Sequence, residues 1–238
     1  MEQREADDRL ASVMRKSSFS GRSDGASLLA ERALALQPPA PDQAILDLGC
    51  GAGDLALMLK TSRPDAQVTG VDFSAVNIET ARRRSDTVQF VCTDYLQWRG
   101  SRFSLIVADS VLQLIEGPLD KLAERIGADL KPGGLLVATV PDARLRNHLL
   151  LLSRRMYRLL PAGLVDPLAT TVAKRLHPDL SLEAIRDRLP YMRMLPRLFG
   201  SNALQTFAKA GLQQEVNQAW FNPSLAKPHH RLMVWRRL

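Results

Sequence analysis

The residues best placed to do chemistry lie in one short stretch, Leu46-Asp47-Leu48-Gly49-Cys50-Gly51-Ala52-Gly53-Asp54. An apolar run ends in alternating glycines and then in a helix-forming segment, so a strand feeds a glycine turn that opens a helix. Backbone N–H groups at the amino end of that helix then face a ligand. The glycines let a bulky ligand rest directly against the backbone. A further carboxylate, Asp72, ends the next strand 19 residues after Gly53, where it can accept hydrogen bonds from ribose hydroxyls. The pattern therefore fits an adenosine-containing cofactor.

The spacing discriminates among such cofactors. A dinucleotide fingerprint has a third glycine where this chain has Asp54. The order here is Asp47-x-Gly49-x-Gly51-x-Gly53 instead. A pyrophosphate is disfavoured next to Asp47 and Asp54, whereas a ligand carrying an ammonium group gains Asp47 as a counter-charge. A cationic amino-acid nucleoside is favoured over a nicotinamide dinucleotide.

Regular alternation of strands and helices must position these groups. Apolar runs at residues 44–48, 67–72, 88–92, 103–108 and 135–140 read as strands, with helices over 54–62, 75–84 and 119–130 between them. The last of these helices is expected to close at Lys131-Pro132-Gly133-Gly134, and an earlier helix through Leu36 to be capped by Ser27. Strands apolar on both faces and separated by helices imply a parallel, doubly wound α/β sheet, with its crevice at the strands' carboxyl ends. Residues 1–36 read as a helical arm, 37–140 as the cofactor-binding core and 141–200 as a helical insert. Residues 201–238 supply a final helix and two strand-like runs, 212–220 and 231–235, that complete the core.

Five segments in order, LDLGCGAGDLA, GVDFSAVNIETARRR, the FVCTDYL block, FSLIVADSVLQLI and LKPGGLLVATVP, resemble the class I S-adenosylmethionine-dependent methyltransferases. The VLQLI stretch is similar to the small-molecule branch that contains trans-aconitate methyltransferase. The resemblance covers roughly residues 40–141, more weakly 201–238, and implies a Rossmann-like seven-stranded sheet with its last strand antiparallel. It implies that S-adenosyl-L-methionine is the cofactor, its amino-acid part held by Asp47, Gly49, Cys50, Gly51 and Gly53. Asp72 would hold the ribose, Phe73 flank the adenine, and Asp94 and Tyr95 meet the adenine edge. Asp109 would lie beside the methionine portion, and Gln113 would point into the acceptor pocket. Ser104 stands where many relatives have an acidic residue, at the strand end away from the crevice.

By the same resemblance the insert is a lid over the acceptor, whose closure would exclude water and align the acceptor with the methyl group. Arg144 and Arg146, just past the fifth strand, would pair with an acceptor carboxylate or phosphate. Tyr157 and Arg193 are further polar candidates in the lid. His148, His177 or Tyr191 would act as a base if the acceptor has a proton to lose. The leucine-rich run from Leu149 reads as a lid helix packing its leucines onto the domain, or as an amphipathic helix at a membrane surface.

Composition narrows the setting. Residues 141–200 carry 11 Lys/Arg against 5 Asp/Glu, whereas residues 1–140 carry 16 against 19, so the insert is a basic element on an acidic front half. Such a field suits an anionic acceptor, an anionic surface or simply a solvated helix face. Two cysteines without a CxxC pair argue for a reducing compartment and no zinc site, and His229-His230 lacks a third ligand. A charged start without an apolar core argues against a signal peptide, giving an expected cytoplasmic protein, monomeric or homodimeric. The segment after the fourth strand, Ala108-Asp109-Ser110-Val111, lacks the Pro-Pro-aromatic motif of base-methylating relatives, and neither cysteine follows a proline. Nucleic acid is thus disfavoured as a partner. The leading expectation is methyl transfer to O or N of a small anionic metabolite such as a secondary metabolite, a sugar or an organic acid. The alternatives are a lipid, quinone or carrier-bound acyl chain at a surface, and a non-catalytic fold member that only binds the cofactor.

Overall fold

The computed structural model describes residues 24–176, 178, 181–186, 189–220 and 229–238. Seven strands form one sheet: β1 (Ala44–Leu48), β2 (Gln67–Asp72), β3 (Gln89–Cys92), β4 (Phe103–Asp109), β5 (Leu130–Pro141), β6 (Leu212–Trp220) and β7 (His230–Arg237). Their order is β3-β2-β1-β4-β5-β7-β6. The pairs from β3 to β5 are parallel, and β7 alone runs against its neighbours β5 and β6. This is the doubly wound α/β sheet with an antiparallel last strand.

Central strands are apolar on both faces because both faces are covered. Ile45, Leu105 and Leu135 pack into one layer with α1 (Asp24–Leu36), α2 (Asp54–Ser62) and α3 (Ala75–Arg84). Their chain neighbours Leu46, Ile106 and Leu136 point the other way, onto α4 (Leu119–Asp129) and the last helix (Ser201–Lys209). There Phe207 stacks on the fully buried Trp235 of β7 at 4.8 Å between ring centres.

Two local expectations are corrected. Residues 131–134 do not close a helix: α4 stops at Asp129 and β5 starts at once, with Leu130 opposite Phe103 and Leu135 opposite Leu105. The intervening residues form a bulge, and Gly133 takes a left-handed φ of 74°. Asp129, held by Arg125 and by the Tyr95 hydroxyl at 2.8 and 2.9 Å, marks where the helix gives way. Ser27 does not cap the helix: it lies inside α1, whose described part runs from Asp24. Its Ala26, Leu29, Ala30 and Ala33 are buried in the core, so from Asp24 onward it belongs to the sheet's cover. The remainder of the expected arm, residues 1–23, lies outside the described residues.

The insert contains α5 (Leu145–Leu159), α6 (Ala162–Leu176) and two short helices, α7 (Leu182–Arg186) and α8 (Leu189–Met192); the last helix is α9. Asn147 anchors it, its amide donating to Asp142 and to the backbone of His229 at 2.8–2.9 Å. The returning segment reaches the sheet where Phe199 N–H donates to the Pro141 carbonyl and Arg197 N–H to that of Gln113. Helix α5 does not pack its leucines inward as a lid helix would. It buries Asn147 and Arg154, and its exposed residues include Leu145, Leu149, Leu152, Met156 and Leu159, spaced as one stripe. Its inward face meets polar groups, the Asp142 carboxylate and the His229 and Met194 carbonyls, rather than an apolar sheet face.

Candidate active site

Chain order reverses between β1 and β4, where successive connections leave in opposite directions and open a crevice at the strands' carboxyl ends. Asp47 near the end of β1, Asp72 at the end of β2 and Asp109 at the end of β4 all converge on it. The glycine turn closes its floor. Gly49 and Cys50 donate backbone hydrogen bonds to the Val71 carbonyl at 2.7 and 3.1 Å, and Gly53 donates to the Cys50 carbonyl at 2.9 Å. Gly49 has a φ of 74°, and a Cβ there would lie 2.0 Å from a Val111 methyl, so a larger residue would be both strained and obstructed. Cys50 is buried beneath the turn, and burial pushes its thiol up out of the reactive range.

The carboxylates are short of positive partners. Asp47 is 1% exposed, and its Oδ2 has no hydrogen-bond partner among the described residues. Burial pushes its pKa well above the usual carboxylate range; Asp109, Asp72 and Asp54 add to the rise against one lowering backbone bond from Ala56. Asp72 is raised too by burial, opposed by amides: Gly51 N–H donates to Oδ2 at 3.0 Å and Ser74 N–H to Oδ1 at 2.8 Å. Asp72 thus ties the glycine turn to β2, a task that sequence reasoning did not assign to it. Asp54, by contrast, is answered by Arg84 at 2.6 Å, and the same guanidinium holds the Ala52 carbonyl. The argument against a pyrophosphate accordingly rests on Asp47 rather than on Asp54.

Beside Asp109 lies a cluster that no motif announced. The Thr139 hydroxyl donates to Asp109 Oδ1 at 2.6 Å and accepts from Ser110 N–H at 2.8 Å. Ser110 is held at a φ of 59°, a strained setting for a residue with a side chain. The buried Gln113 donates to the Ser110 carbonyl at 2.7 Å and lies 3.4 Å from His230 Nε2. Only the register of β4 on β5, Asp109 opposite Thr139, brings these residues together.

The remaining expected site residues divide. Phe73 is exposed beside Asp72 at the crevice mouth, where an apolar ring can flank a base. Asp94 is exposed and its Oδ1 accepts from Leu96 N–H, ordering the loop after β3. The Tyr95 side chain is buried, and its hydroxyl donates to Asp129. Arg144 is largely exposed and lies 3.3 Å from Asp142, and Arg146 pairs with His229, so both stand at the β5 end with partners already. Tyr157 bonds to Asp166, as does Arg193, and burial with that carboxylate pushes Tyr157 up to about 12, which removes it as a base. His148 is exposed on the outer side of α5. His177 and the side chain of Tyr191 lie outside the described residues.

A cofactor carrying an ammonium and a ribose fits this site. The orphaned Asp47 oxygen supplies the buried anion, the carboxylate cluster supplies the sign, and the glycine turn supplies backbone contact. Among the described residues no group of three or more His, Cys, Asp or Glu is placed to hold a metal ion.

Comparison with known proteins agrees. Residues 45–134 match the family model described as a methyltransferase domain. The chain is 36% identical over 118 residues to trans-aconitate 2-methyltransferase of Paracidovorax citrulli, covering 48% of this chain and 45% of the relative. It is likewise 36% identical over 110 residues to that of Methylobacterium radiotolerans, covering 46% and 42%. The similarity thus spans less than half of each relative's length. Among solved structures, the N-methyltransferase NodS of Bradyrhizobium japonicum, bound to S-adenosylhomocysteine, aligns with a TM-score of 0.57 at 16% identity, covering 90% of this chain and 86% of that one. A didemethyltoxoflavin methyltransferase of Burkholderia thailandensis aligns with a TM-score of 0.57 at 17% identity, covering 90% and 77%. At such identities these two share the fold. Residues 45–134 thus carry a methyltransferase domain, set in a fold that the chain shares with solved methyltransferases.

Proposed function

We propose that the protein transfers a methyl group from S-adenosylmethionine to a small anionic metabolite, with a carboxylic acid as the favoured acceptor. The observation that carries the methyl donor in this reading is the set of buried carboxylates under the glycine turn, with Asp47 unanswered by any cation among the described residues. The trans-aconitate relatives support an organic-acid acceptor, and the basic segment 141–200 supports an anionic one.

When bound, the cofactor supplies a methyl group on a positively charged sulfur. The work left to the protein is then mainly holding and orienting. Asp47 would receive the ammonium group and Asp72 the ribose hydroxyls. Thr139 donates to Asp109, which would stand at the junction between cofactor and acceptor. Gln113, Arg144 and Arg146, beside the ends of β4 and β5, would meet the acceptor. A carboxylate acceptor is already ionised at neutral pH, so no residue need remove a proton and His148, His177 and Tyr191 are dispensable.

The test is incubation with methyl-labelled S-adenosylmethionine and a panel of mono-, di- and tricarboxylic acids, amines and phenols. Label in a base-labile methyl ester is the expected outcome. Label confined to amine or phenol products, or turnover with none of the panel, overturns the carboxylate assignment.

A further inference from the structure

The geometry points to the α5–α6 pair as a docking face for an anionic lipid surface. Helix α5 is inverted, with Asn147 and Arg154 buried while Leu145 and Leu159, at its two ends, are 73% and 76% exposed. Helix α6 exposes leucines of its own, Leu164 and Leu168, at 75% and 66%. A water-facing helix has no reason to place leucines at every outward turn, and a patch of this kind marks a surface that something covers.

Charge decides what covers it. Arg155 on α5 and Arg175 on α6 are exposed around the stripes, within a segment carrying 11 Lys/Arg against 5 Asp/Glu. Of the described carboxylates in this segment, Asp142 and Asp166 are already engaged, by Asn147 and by Tyr157 and Arg193, and Glu183 is exposed on α7. Joining two copies through this face would set arginines against arginines, whereas an anionic bilayer offers phosphates to the arginines and acyl chains to the leucines. No helix among the described residues is long and apolar enough to cross a membrane, so the pair would lie in the interface plane.

Flotation of the full chain with vesicles tests this without reference to catalysis. The protein should float with vesicles containing phosphatidylglycerol and stay behind with pure phosphatidylcholine. The double variant Leu152→Glu/Met156→Glu should lower the bound fraction by about tenfold, and Arg155→Gln/Arg175→Gln should weaken binding and make the remainder less salt-sensitive. Both positions of the first variant are exposed, so its melting temperature and its titration with S-adenosylhomocysteine should match the parent chain. Absence of flotation on phosphatidylglycerol, or flotation unmoved by the leucine variant, overturns the proposal. A dimer seen by light scattering and split by Leu152→Glu/Met156→Glu would also overturn it, by assigning the face to a second copy.

Discussion

Helices α4 and α5 both carry regularly spaced apolar residues, yet they are seated in opposite ways. Helix α4 buries Leu122, Ala123 and Ile126 against the sheet and leaves Lys121 and Glu124 in water. Helix α5 turns Asn147 and Arg154 inward and leaves Leu145, Leu149 and Leu152 outside. The difference lies in what each helix meets. Helix α4 follows a parallel strand and lands on an apolar sheet face, whereas α5 begins past the carboxyl end of β5, beside the Asp142 carboxylate and the His229 carbonyl. Apolar periodicity identifies a helix with two faces, and the receiving surface decides which face goes in.

The comparison breaks if the two leucine sets respond alike to truncation. Leu122→Ala should cost about 2–5 kcal/mol in urea unfolding, as for a filled core position, while Leu152→Ala should stay within about 0.5 kcal/mol. Equal losses would show that the outer stripe of α5 is covered in the folded chain. Gly49→Ala sharpens the same contrast at the site, where the fold has no slack. Its left-handed φ and the Val111 contact predict a loss of about 1–3 kcal/mol in stability together with loss of cofactor binding. A Gly163→Ala control in α6, where an added Cβ meets nothing within 4 Å, should leave cofactor binding unchanged and stability equal or slightly higher.

Smaller effects should come from Thr139→Val. It keeps the side-chain volume but withdraws the hydroxyl shared by Asp109 and Ser110, at about 1–2 kcal/mol in stability. Cofactor affinity should fall with it, whereas a variant stable and tight-binding would free Asp109 from its assigned position. The pH dependence follows from Asp47. Its folded pKa lies above the unfolded value, so the charged form destabilises the empty protein, and that penalty shrinks as pH falls below the folded pKa and is gone below the unfolded one. A cationic ligand favours the charged form instead. Binding should therefore release a proton and weaken as pH falls through the raised pKa. Calorimetry in buffers of different ionisation enthalpy should detect that release, and Asp47→Asn should abolish it.

Much of this was legible in the chain because local chemistry dictated it. The glycine turn between β1 and α2, Asp72 at a strand end and the doubly apolar strands each carry their own signal in adjacent residues. Roles that depend on register were not legible. Thr139 meets Asp109 only because β4 and β5 pair in that frame, and Tyr95 turns to Asp129 only once α4 is packed. The seating of α5 was hidden for the same reason, since its anchor Asn147 finds both partners, Asp142 and His229, through tertiary structure.

The central claim is that the crevice is built for a cationic amino-acid nucleoside, and parallel titration calorimetry of the purified chain tests it most directly. S-adenosylmethionine and S-adenosylhomocysteine should bind, NADH should not, and Asp47→Asn should lose roughly 1.5–3 kcal/mol of affinity for the first two. A folded protein that binds neither sulfur nucleoside, or that binds NADH as well as either, would contradict the account.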